Sequence, residues 1–172
     1  VSQIIYGEKF KILSKNKNWL KIKASFDNYV GYIKNKQYIA NVNPNYKVSI
    51  LKAKIFKKPN LETKSCLTFG SRLLAIDENY KYIQIQKNKW IKKKDIKKIN
   101  HKERNFAKVF KKFLKVKYIW GGKTYSGIDC SALLQIFYNY NNLFYPRDTR
   151  DQIKYSEGKL KKRKFKKGDI IF

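Results

Sequence analysis

YIWGGKTYSGIDCSALLQIFYNY, residues 118–140, carries the strongest local signals in this sequence. It begins with an apolar, strand-like aromatic run, continues through a glycine-rich turn, and then opens an amphipathic helix at Asp129-Cys130-Ser131. A thiol at the N-terminus of a helix lies beside unpaired backbone N–H groups, which together with the helix dipole favour a thiolate nucleophile. The same N–H groups can hold an oxyanion once that thiolate attacks a carbonyl. The alternative is a small buried cysteine at the start of a core helix.

Four separated motifs occur in one order along the chain: YIWGG, GIDCSALLQ, PRDTRDQ and KKGDIIF. In order and approximate spacing they resemble the NlpC/P60 family of cysteine peptidases. The resemblance implies a papain-like fold with the cysteine on a helix and a histidine on the neighbouring sheet. It also implies cleavage of amide bonds to D-Glu or diamino acids in bacterial cell-wall peptides. Ala132 stands where the family usually has glycine, which adds one methyl group and favours a helix.

The resemblance implies three catalytic positions in this sequence. Cys130 is the nucleophile, and the backbone N–H groups of Cys130 and Ser131 help to hold the oxyanion. The hydroxyl of Tyr118 is expected beside the thiol; a core aromatic with a satisfied hydroxyl is the alternative. Trp120 is expected to pack rather than to contact substrate.

Substrate-binding positions follow from the same resemblance. Asp148 and Thr149 match the acidic and small hydroxyl residues that line the pocket for the peptide's free amine or its D-Glu. Either residue can alternatively cap a helix that runs through Ile153 and stops at Gly158. Asp129, the third candidate, is expected mainly to fix the turn before the nucleophile helix.

The chain departs from the family pattern at its end, because it stops at Phe172, where the strand bearing the base histidine would follow. The only histidine is His101, upstream of the motifs, and it is expected to be an exposed or capping polar group. We therefore expect a piece of a longer gene product, with its base beyond Phe172, that is inactive or nearly so by itself. Residues from Phe165 onward are expected to form a tight turn followed by a buried strand. Gly168-Asp169 in this turn is expected to have a structural and not a catalytic role.

Two copies of one small β module precede these motifs. A shift of 63 positions superposes apolar, aromatic and glycine residues, for example Gly7 on Gly70 and Trp19 on Tyr82. Short strands joined by polar turns, with a late strand that carries an aromatic–Ile pair, resemble bacterial SH3 domains. We therefore predict an α+β fold in which two small SH3-like β-barrels precede the N-terminal part of a papain-like NlpC/P60 domain. The predicted domains are residues 1–43, residues 44–98 and residues 99–172.

Local patterns predict further elements. Asn100 is expected to cap a helix of about four turns, with Glu103 three positions on in a capping-box arrangement and an apolar face that ends at Leu114. In the second module, a turn around Pro59 is expected ahead of a strand that begins near Phe69.

The formal net charge is +29, almost all of it from lysine. Such a charge gives a salt-sensitive attraction to polyanions, so nucleic acid, an anionic envelope polymer or a membrane surface could be a partner. Lys, Asn, Ile, Tyr and Phe all have A/T-rich codons and are abundant along the whole chain, so genome composition is a sufficient explanation and the favoured one. The basic runs at Lys92–Lys94 and Lys161–Lys167 are therefore expected to be solvated faces.

The two cysteines, Cys66 and Cys130, are too few for a disulfide scaffold and are expected to be free thiols. No cluster of Cys, His and carboxylates has metal-ligand spacing, so neither a metal nor another cofactor is predicted. No apolar run approaches the ~20 residues of a membrane span, and the first residues lack the pattern of a signal peptide. The expected source is bacterial, in the cytoplasm or the cell envelope; the oligomeric state is not readable.

Two SH3-like modules ahead of one such catalytic domain are most similar to dipeptidyl endopeptidases that trim wall peptides with a free N-terminal L-Ala. The predicted function is hydrolysis of γ-D-glutamyl-diamino acid amide bonds in peptidoglycan stem peptides or muropeptides, through a thioester on Cys130. In those relatives the first module contributes an acidic residue to the substrate's amine, and Glu8 and Asp27 are both candidates here.

Two other functions compete with this one. A non-catalytic cell-wall-binding protein with a degenerate cysteine domain is favoured by Ala132 and the absent histidine. A nucleic-acid-binding protein is suggested by the charge, but it leaves the GIDCS and PRDT segments unexplained, so no specific nucleic acid is predicted as a partner.

Overall fold

A computed structural model describes residues 1–156 and 165–172 of the chain. In this part of the chain thirteen short strands form four sheets, and there are three α-helices. The architecture is therefore mixed α and β, with most strands in the first hundred residues and the helices after them. Closure of the strands into barrels stays a prediction.

The first sheet is an antiparallel meander. Its strands, in spatial order, are β1 (Phe10–Lys15), β2 (Trp19–Ala24) and β3 (Val30–Lys34). Apolar and polar residues alternate along β2, which buries Leu20 and Ile22 on one face. The alternation gives this small sheet a single apolar side.

The next eight strands form two sheets around one apolar core. They are β4 (Tyr46–Val48), β5 (Lys52–Lys58), β6 (Leu61–Thr68), β7 (Arg72–Leu73), β8 (Asp77–Glu78), β9 (Tyr82–Gln86), β10 (Lys89–Lys92) and β11 (Ile96–Lys98). One sheet has the order β6-β5-β10-β9-β8 and the other β11-β4-β7. Both sheets contribute to the core, whose fully buried members are Val48, Ala53, Leu73, Ile83 and Ile91.

The 63-residue offset in the sequence is matched by equivalent turns. Asn16 Oδ1 accepts from the backbone N–H groups two and three residues on, at 3.0 and 2.7 Å, and Asn79 Oδ1 does the same at 3.0 and 2.9 Å. Gly7 and Gly70 share a left-handed conformation, with φ of 84° and 82°. A Cβ atom on Gly7 would also lie 2.1 Å from the carbonyl oxygen of Arg72, so only glycine fits there. The predicted domain boundaries themselves stay predictions.

Three helices follow the first β unit (β1–β3 and the loops around them) and the second β unit (β4–β11), and the first two helices share an apolar core with the second unit. The three helices are α1 (Phe106–Phe110), α2 (Cys130–Tyr140) and α3 (Thr149–Tyr155), with the short hairpin of β12 (Lys123–Thr124) and β13 (Gly127–Ile128) before α2. Phe69 follows β6 and enters the helical core, where its ring stacks on Tyr140 at 4.5 Å and meets Phe113 edge-on at 6.0 Å between centroids. Because Phe69 is only 1% exposed, the second β unit supplies part of the core that seats α2.

The helix α1 begins later than the sequence predicts. Its N-cap is Asn105 instead of Asn100, and the Asn105 side chain accepts from Lys108 N at 3.2 Å. The preceding segment is kept out of the helix because Glu103 N donates to Asn141 Oδ1 at 2.8 Å and Asn141 Nδ2 donates to Glu103 O at 3.1 Å. These contacts with the C-cap of α2 outweigh the local preference for a capping box.

One other predicted element is wrong, and the predicted apolar face ends early. Leu114 is 78% exposed, because a 3₁₀ turn that ends at Phe113 rotates the next residue off the apolar face. The strand expected to begin near Phe69 is β7, which starts at Arg72 and is only two residues long. The buried strand expected after the turn in Phe165–Phe172 is not formed. The segment contains a turn, and none of the described strands pairs with it, so it has no inter-strand hydrogen bonds there.

The aromatic run before the glycine turn is not a regular strand either. Tyr118 makes one parallel bridge to Ile128, and the chain turns directly after it. Trp120 is 76% exposed, so the prediction that it packs in the interior is wrong. The turn expected around Pro59 is present, with Asn60 at a φ of 67° between β5 and β6.

The last helix and the basic runs agree only in part with expectation. The helix α3 starts at Thr149, as predicted, whereas its predicted stop at Gly158 and most of the run Lys161–Lys167 lie outside the described residues. In the other run, Lys93 is partly shielded and pairs with Glu78 at 3.2 Å. Among the helices of the two described ranges, none combines the length and the apolar character that crossing a membrane requires.

Cationic side chains converge on the C-terminal carbonyls of α2. They are Lys47, Arg72 and Lys102. Lys47 Nζ donates to the carbonyls of Tyr140 and His101 and lies 4.2 Å from the centre of the Tyr140 ring, while Arg72 Nη2 reaches the Asn139 carbonyl at 3.1 Å. Because the C-terminal end of a helix carries partial negative charge, these cations stabilise it. The second β unit thus holds one end of α2.

Replacing Lys47 with methionine is expected to change how stability depends on pH. Burial, followed by the charges of Arg72 and Lys102, lowers the pKa of Lys47 from 10.5 to about 8. Between these values the unfolded chain binds more protons than the folded chain, so the Lys47 contribution to the free energy of unfolding rises with pH across this window. Urea unfolding at about pH 7 and about pH 10 should therefore show wild type gaining stability over Lys47→Met.

The matched control for this experiment is Lys97→Met. Lys97 is exposed and is paired with Lys47 in the neighbouring strand, so its removal leaves the buried cation in place. A difference between wild type and Lys47→Met that is the same at both pH values would show that Lys47 titrates as an exposed lysine does.

Candidate active site

The glycine turn and the helix cap form one unit that presents Cys130. Asp129 is the N-cap of α2, and its Oδ1 accepts from Ala132 N at 2.8 Å. Its Oδ2 accepts from Gly121 N at 2.8 Å, and the φ of 79° at Gly121 favours glycine. Cys130 is the first residue of α2 and its thiol is free and exposed, as is required of a nucleophile. The predicted helix start is confirmed, and the alternative of a buried cysteine is wrong.

Arg147 makes a buried, two-point ion pair with Asp129. Its Nη1 donates to Oδ1 at 3.0 Å and its Nη2 to Oδ2 at 2.8 Å, and the two side chains are only 2% and 4% exposed. Arg147 Nη1 also donates to Ser131 Oγ, and its Nε donates to Ser2 Oγ, both at 2.8 Å. One guanidinium therefore joins the first residues of the chain, the helix cap and the first turn of α2.

Asp129 stays ionised within this network. Burial by itself disfavours the carboxylate, but hydrogen bonds from Arg147 and from the backbone N–H groups of Ala132 and Gly121 outweigh it and lower the pKa of Asp129. Ser131 Oγ also donates to Asp129 Oδ1 at 3.1 Å, so both carboxylate oxygens already have protein donors. This geometry places Asp129 in the scaffold beneath the thiol, and its contact with substrate stays a prediction.

The first backbone N–H groups of α2 have no hydrogen-bond acceptor in the described part of the chain. Those of Cys130 and Ser131 donate to no residue there, as is usual for the first turn of a helix. The Ser131 hydroxyl is buried and bound to Asp129 and Arg147, which leaves its backbone N–H as the group that can meet a ligand. The predicted oxyanion role of these N–H groups is compatible with this geometry and stays a prediction.

A cavity of about 320 Å³ lies in the first β unit, next to α2. Asp27 and Tyr29 line it together with apolar residues of β2 and β3. Asp27 Oδ1 accepts from Tyr29 N at 3.0 Å, and its Oδ2 accepts from Gln135 Nε2 on α2 at 2.7 Å. Burial and then the Asp148 carboxylate raise the pKa of the Tyr29 hydroxyl. Asp27 therefore joins this cavity to the nucleophile helix.

Glu8 lines the same cavity, but its charge is already compensated. Its Oε1 accepts from Lys123 Nζ at 2.6 Å, with the two side chains 8% and 4% exposed, and from Asn139 Nδ2 at 3.3 Å. Its Oε2 accepts from Ile5 N at 3.0 Å. This ion pair fastens the first β unit to the hairpin before Cys130 and to α2.

Three predicted site residues, Tyr118, Asp148 and Thr149, are exposed or half-buried. Tyr118 is 68% exposed, so the alternative of a core aromatic is wrong. Asp148 is half-buried at the N-cap position of α3 without a side-chain capping bond, and Thr149 is exposed as the first residue of α3. None of these three side chains hydrogen bonds to another residue of the described ranges, and their roles stay predictions.

His101 lies at the opposite end of α2 from the thiol. Its half-buried ring meets Tyr140 edge-on at 6.3 Å between centroids, which differs from the exposed or capping role that the sequence suggested. Tyr140 is ten residues along α2 from Cys130, a distance of about 15 Å at 1.5 Å per residue. Within residues 1–156 and 165–172 there is therefore no imidazole that can serve Cys130, nor a group of three or more Cys, His, Asp or Glu that could hold a metal ion.

Sequence reasoning missed three residues that hold the site together: Arg147, Gln135 and Lys123. A signal for Arg147 was present, because only five of the 41 basic residues are arginine, and arginine in a lysine-rich chain indicates a need for a forked donor. Gln135 and Lys123 carried no such signal, since their partners lie 108 and 115 residues away along the chain.

Two protein-family models match this chain. Residues 115–172 match the NlpC/P60 family, and residues 1–37 match the bacterial dipeptidyl-peptidase Sh3 domain. The chain thus carries an NlpC/P60 domain and a bacterial SH3 domain ahead of it, which confirms the resemblance drawn from the four motifs and the first β module.

The curated relatives of this chain have names of peptidases. The chain is 23% identical over 187 residues to the gamma-D-glutamyl-L-lysine dipeptidyl-peptidase of Bacillus subtilis (strain 168), covering 99% of this chain and 63% of the relative. It is 24% identical to the protein of the same name from Bacillus cereus (strain ATCC 10987 / NRS 248), covering 99% and 59%. A probable endopeptidase NlpC homolog of Haemophilus influenzae is 35% identical over 71 residues, which are 41% of this chain and 38% of that protein.

A solved structure has the same fold. The crystal structure of an NlpC/P60 family protein from Bacillus cereus ATCC 10987 matches with a TM-score of 0.79 and 21% sequence identity, covering 97% of this chain and 63% of that one. The chain therefore spans about three fifths of the length of the dipeptidyl-peptidases and of this structure.

Breaking the buried ion pair is expected to destabilise the site. Arg147→Met leaves the Asp129 carboxylate buried without its main partner, which should lower the free energy of unfolding by about 3–5 kcal/mol. Arg147→Lys keeps the charge but cannot donate to both oxygens in a fork, so it should recover only part of that loss. Urea unfolding of both variants measures the effect.

The matched control is Arg150→Met, three residues further on. Arg150 is exposed, and its loss should change stability by no more than about 0.5 kcal/mol. Equal stabilities of the Arg147 and Arg150 variants would mean that the buried pair contributes nothing to the folded state.

Proposed function

We propose that this chain belongs to a cysteine peptidase that hydrolyses γ-D-glutamyl-diamino acid amide bonds in peptidoglycan-derived peptides, with Cys130 as its nucleophile. The observation that carries the proposal is the exposed thiol at the start of α2, on a cap that a buried ion pair holds in place. The family matches and the names of the relatives support the same reaction class.

The chemistry follows from the position of the thiol. The Cys130 thiolate attacks the carbonyl carbon of the amide, the C–N bond breaks, and the diamino acid leaves as an amine with a proton from the base. Water then hydrolyses the thioester, giving a carboxylic acid and the free thiol. The backbone N–H groups of Cys130 and Ser131, with the exposed Tyr118 hydroxyl, would bind the oxyanion during both steps.

The base is placed outside the described residues. A histidine must accept and return the proton, and His101 packs against Tyr140, which is an axial rise of about 15 Å along α2 from Cys130. Because this chain spans about three fifths of the length of its curated relatives, we place the base in a further part of the protein. Residues 1–172 alone should then cleave little or no substrate.

Recognition of a free N-terminal amine is assigned to Asp27 rather than to Glu8. Glu8 is paired with Lys123, so a substrate ammonium would have to compete with an internal cation. Asp27 lines the same cavity with only uncharged donors on its carboxylate. Asp148 and Thr149 would line the neighbouring pocket for D-Glu, whereas Asp129 would act by holding the helix cap.

The finer fold assignment belongs to the same proposal. Both β units would be SH3-like barrels, at residues 1–43 and 44–98, and residues 99–172 would be the first part of a papain-like domain. The equivalent Asn16 and Asn79 turns support a similar fold for the two β units, as does the order β1-β2-β3, which recurs as β8-β9-β10.

A non-catalytic cell-wall-binding protein is the second candidate function. The observation that favours it is the absence of a histidine near Cys130 in the described ranges. Ala132, which also suggested a degenerate site, is fully buried in the apolar core beside Ile136, so its extra methyl is accommodated by packing. The departure from glycine therefore gives this alternative little support.

Loss of the Cys130 thiol is expected to abolish cleavage of L-Ala-γ-D-Glu-diaminopimelate. In the complete gene product Cys130→Ala should lower kcat by about a thousandfold or more, because the thioester can no longer form. Release of the diamino acid, followed by chromatography, measures the loss, and Cys66→Ser is the matched control with unchanged rate. Retained cleavage in Cys130→Ala would exclude the mechanism, and no cleavage by wild type would favour the binding protein.

Loss of the Asp27 carboxylate is expected to weaken discrimination between free and blocked amines. Asp27→Asn should raise KM for the free-amine peptide by about tenfold or more, because a charge-assisted contact is lost, and should change cleavage of the N-acetylated peptide little. Glu8→Gln is the matched variant, expected to lower stability while keeping the preference for a free amine. The reverse pattern would reassign the amine site to Glu8.

A further inference from the structure

Gln135 joins the nucleophile helix to the cavity of the first β unit. It lies on α2 five residues after Cys130 and is fully buried. Its Nε2 donates to Asp27 Oδ2 at 2.7 Å and to the Tyr145 carbonyl at 3.2 Å. A single side chain thus connects α2, the turn between β2 and β3, and the loop before α3.

The orientation of the Gln135 amide is fixed by its neighbours. Both of its partners, Asp27 and the Tyr145 carbonyl, can only accept hydrogen bonds, so the NH₂ group must face them. Gln135 Oε1 is then buried with no donor among the described residues. An apolar side chain of similar length would fill this space without stranding an acceptor, so packing alone does not explain a glutamine here.

The Gln135 amide helps to fix the orientation of the Asp27 carboxylate. Asp27 Oδ1 accepts from Tyr29 N and Oδ2 accepts from Gln135, so both oxygens are tethered from different units. A carboxylate has about four lone-pair directions, and these two bonds occupy two of them. The remaining directions are available to a ligand in the cavity that Asp27 lines.

We propose that Gln135 is a positioning residue that orients Asp27 toward the substrate's N-terminal amine and so sets the preference for substrates with a free amine. The inference rests on the proposed function, because it takes Asp27 as the amine-binding residue. Gln135 itself touches neither the amine nor the reacting carbonyl; it acts through Asp27.

Binding measurements on this 172-residue chain test the inference without requiring catalysis. Isothermal titration calorimetry compares L-alanyl-γ-D-glutamate with its N-acetylated form, for wild type and for Gln135→Met. Wild type should bind the free amine about tenfold or more tightly. Gln135→Met should lose about tenfold on the free amine and change little on the N-acetylated form, because only the carboxylate's orientation is lost.

Gln152→Met is the matched control. Gln152 is equally buried and its Oε1 is equally without a described partner, but its Nε2 donates to the carbonyls of Ser131 and Pro146 instead of to Asp27. Both methionine variants should lose stability, and only the Gln135 variant should lose the preference for the free amine. Should Gln135→Met fail to fold, the smaller apolar variant Gln135→Leu removes the same donor to Asp27, with the same expected loss.

The outcomes separate this inference from the proposed function. A wild type that prefers the free amine, with the preference unchanged in Gln135→Met, would overturn the positioning role and leave Asp27 as the amine site. A wild type without any preference for the free amine would overturn both. Equal loss of binding to both peptides in Gln135→Met would assign the residue a purely structural role and also overturn the inference.

Discussion

The ion pair between Arg147 and Asp129 is the constraint on which the candidate site depends. Two charges taken out of water are costly unless each remaining donor and acceptor is matched. Here they are matched: Asp129 accepts from the turn, from the helix and from Ser131, while the guanidinium also reaches Ser2. These partners come from the first residues of the chain, the glycine turn and the first turn of α2, so the pair is stable only when those segments are assembled. The position of the thiol is therefore a consequence of tertiary structure and not of the α2 sequence alone.

The same logic extends along the whole of α2, because polar contacts hold it at its start, its side and its end. Its start rests on the ion pair and its side on Asp27 and Glu8 of the first β unit. Its end rests on cations, of which Lys47 and Arg72 come from the second β unit. Such contacts are directional, whereas apolar packing against Phe69 alone would tolerate sliding. The β units therefore fix the position of α2 in the molecule.

Those parts of the fold that depend on short-range pattern could be predicted from the sequence. The cap and the first turn of α2 were predictable because the backbone donors to Asp129, at Gly121 and Ala132, lie within a dozen residues of it. The β repeat was predictable because Gly7 and Gly70 recur at one spacing. Elsewhere the same reasoning failed, because contacts between residues far apart in the sequence determine the structure. Asn100 has a good capping sequence, yet the Asn141 side chain pulls Glu103 out of the helix. No local pattern revealed Gln135, whose partner is 108 residues away.

The charge of the chain shows why residue chemistry has to be weighed against context. In a sequence with 41 basic residues, composition explains most lysines, and an exposed lysine says little about function. Lys47 and Lys123 differ because each is almost fully buried against specific acceptors, which composition does not account for. Arg147 differs in a second way, because its fork matches both oxygens of a carboxylate and a lysine cannot. Burial and geometry therefore separate the few basic residues that shape the site from the many that only raise the net charge.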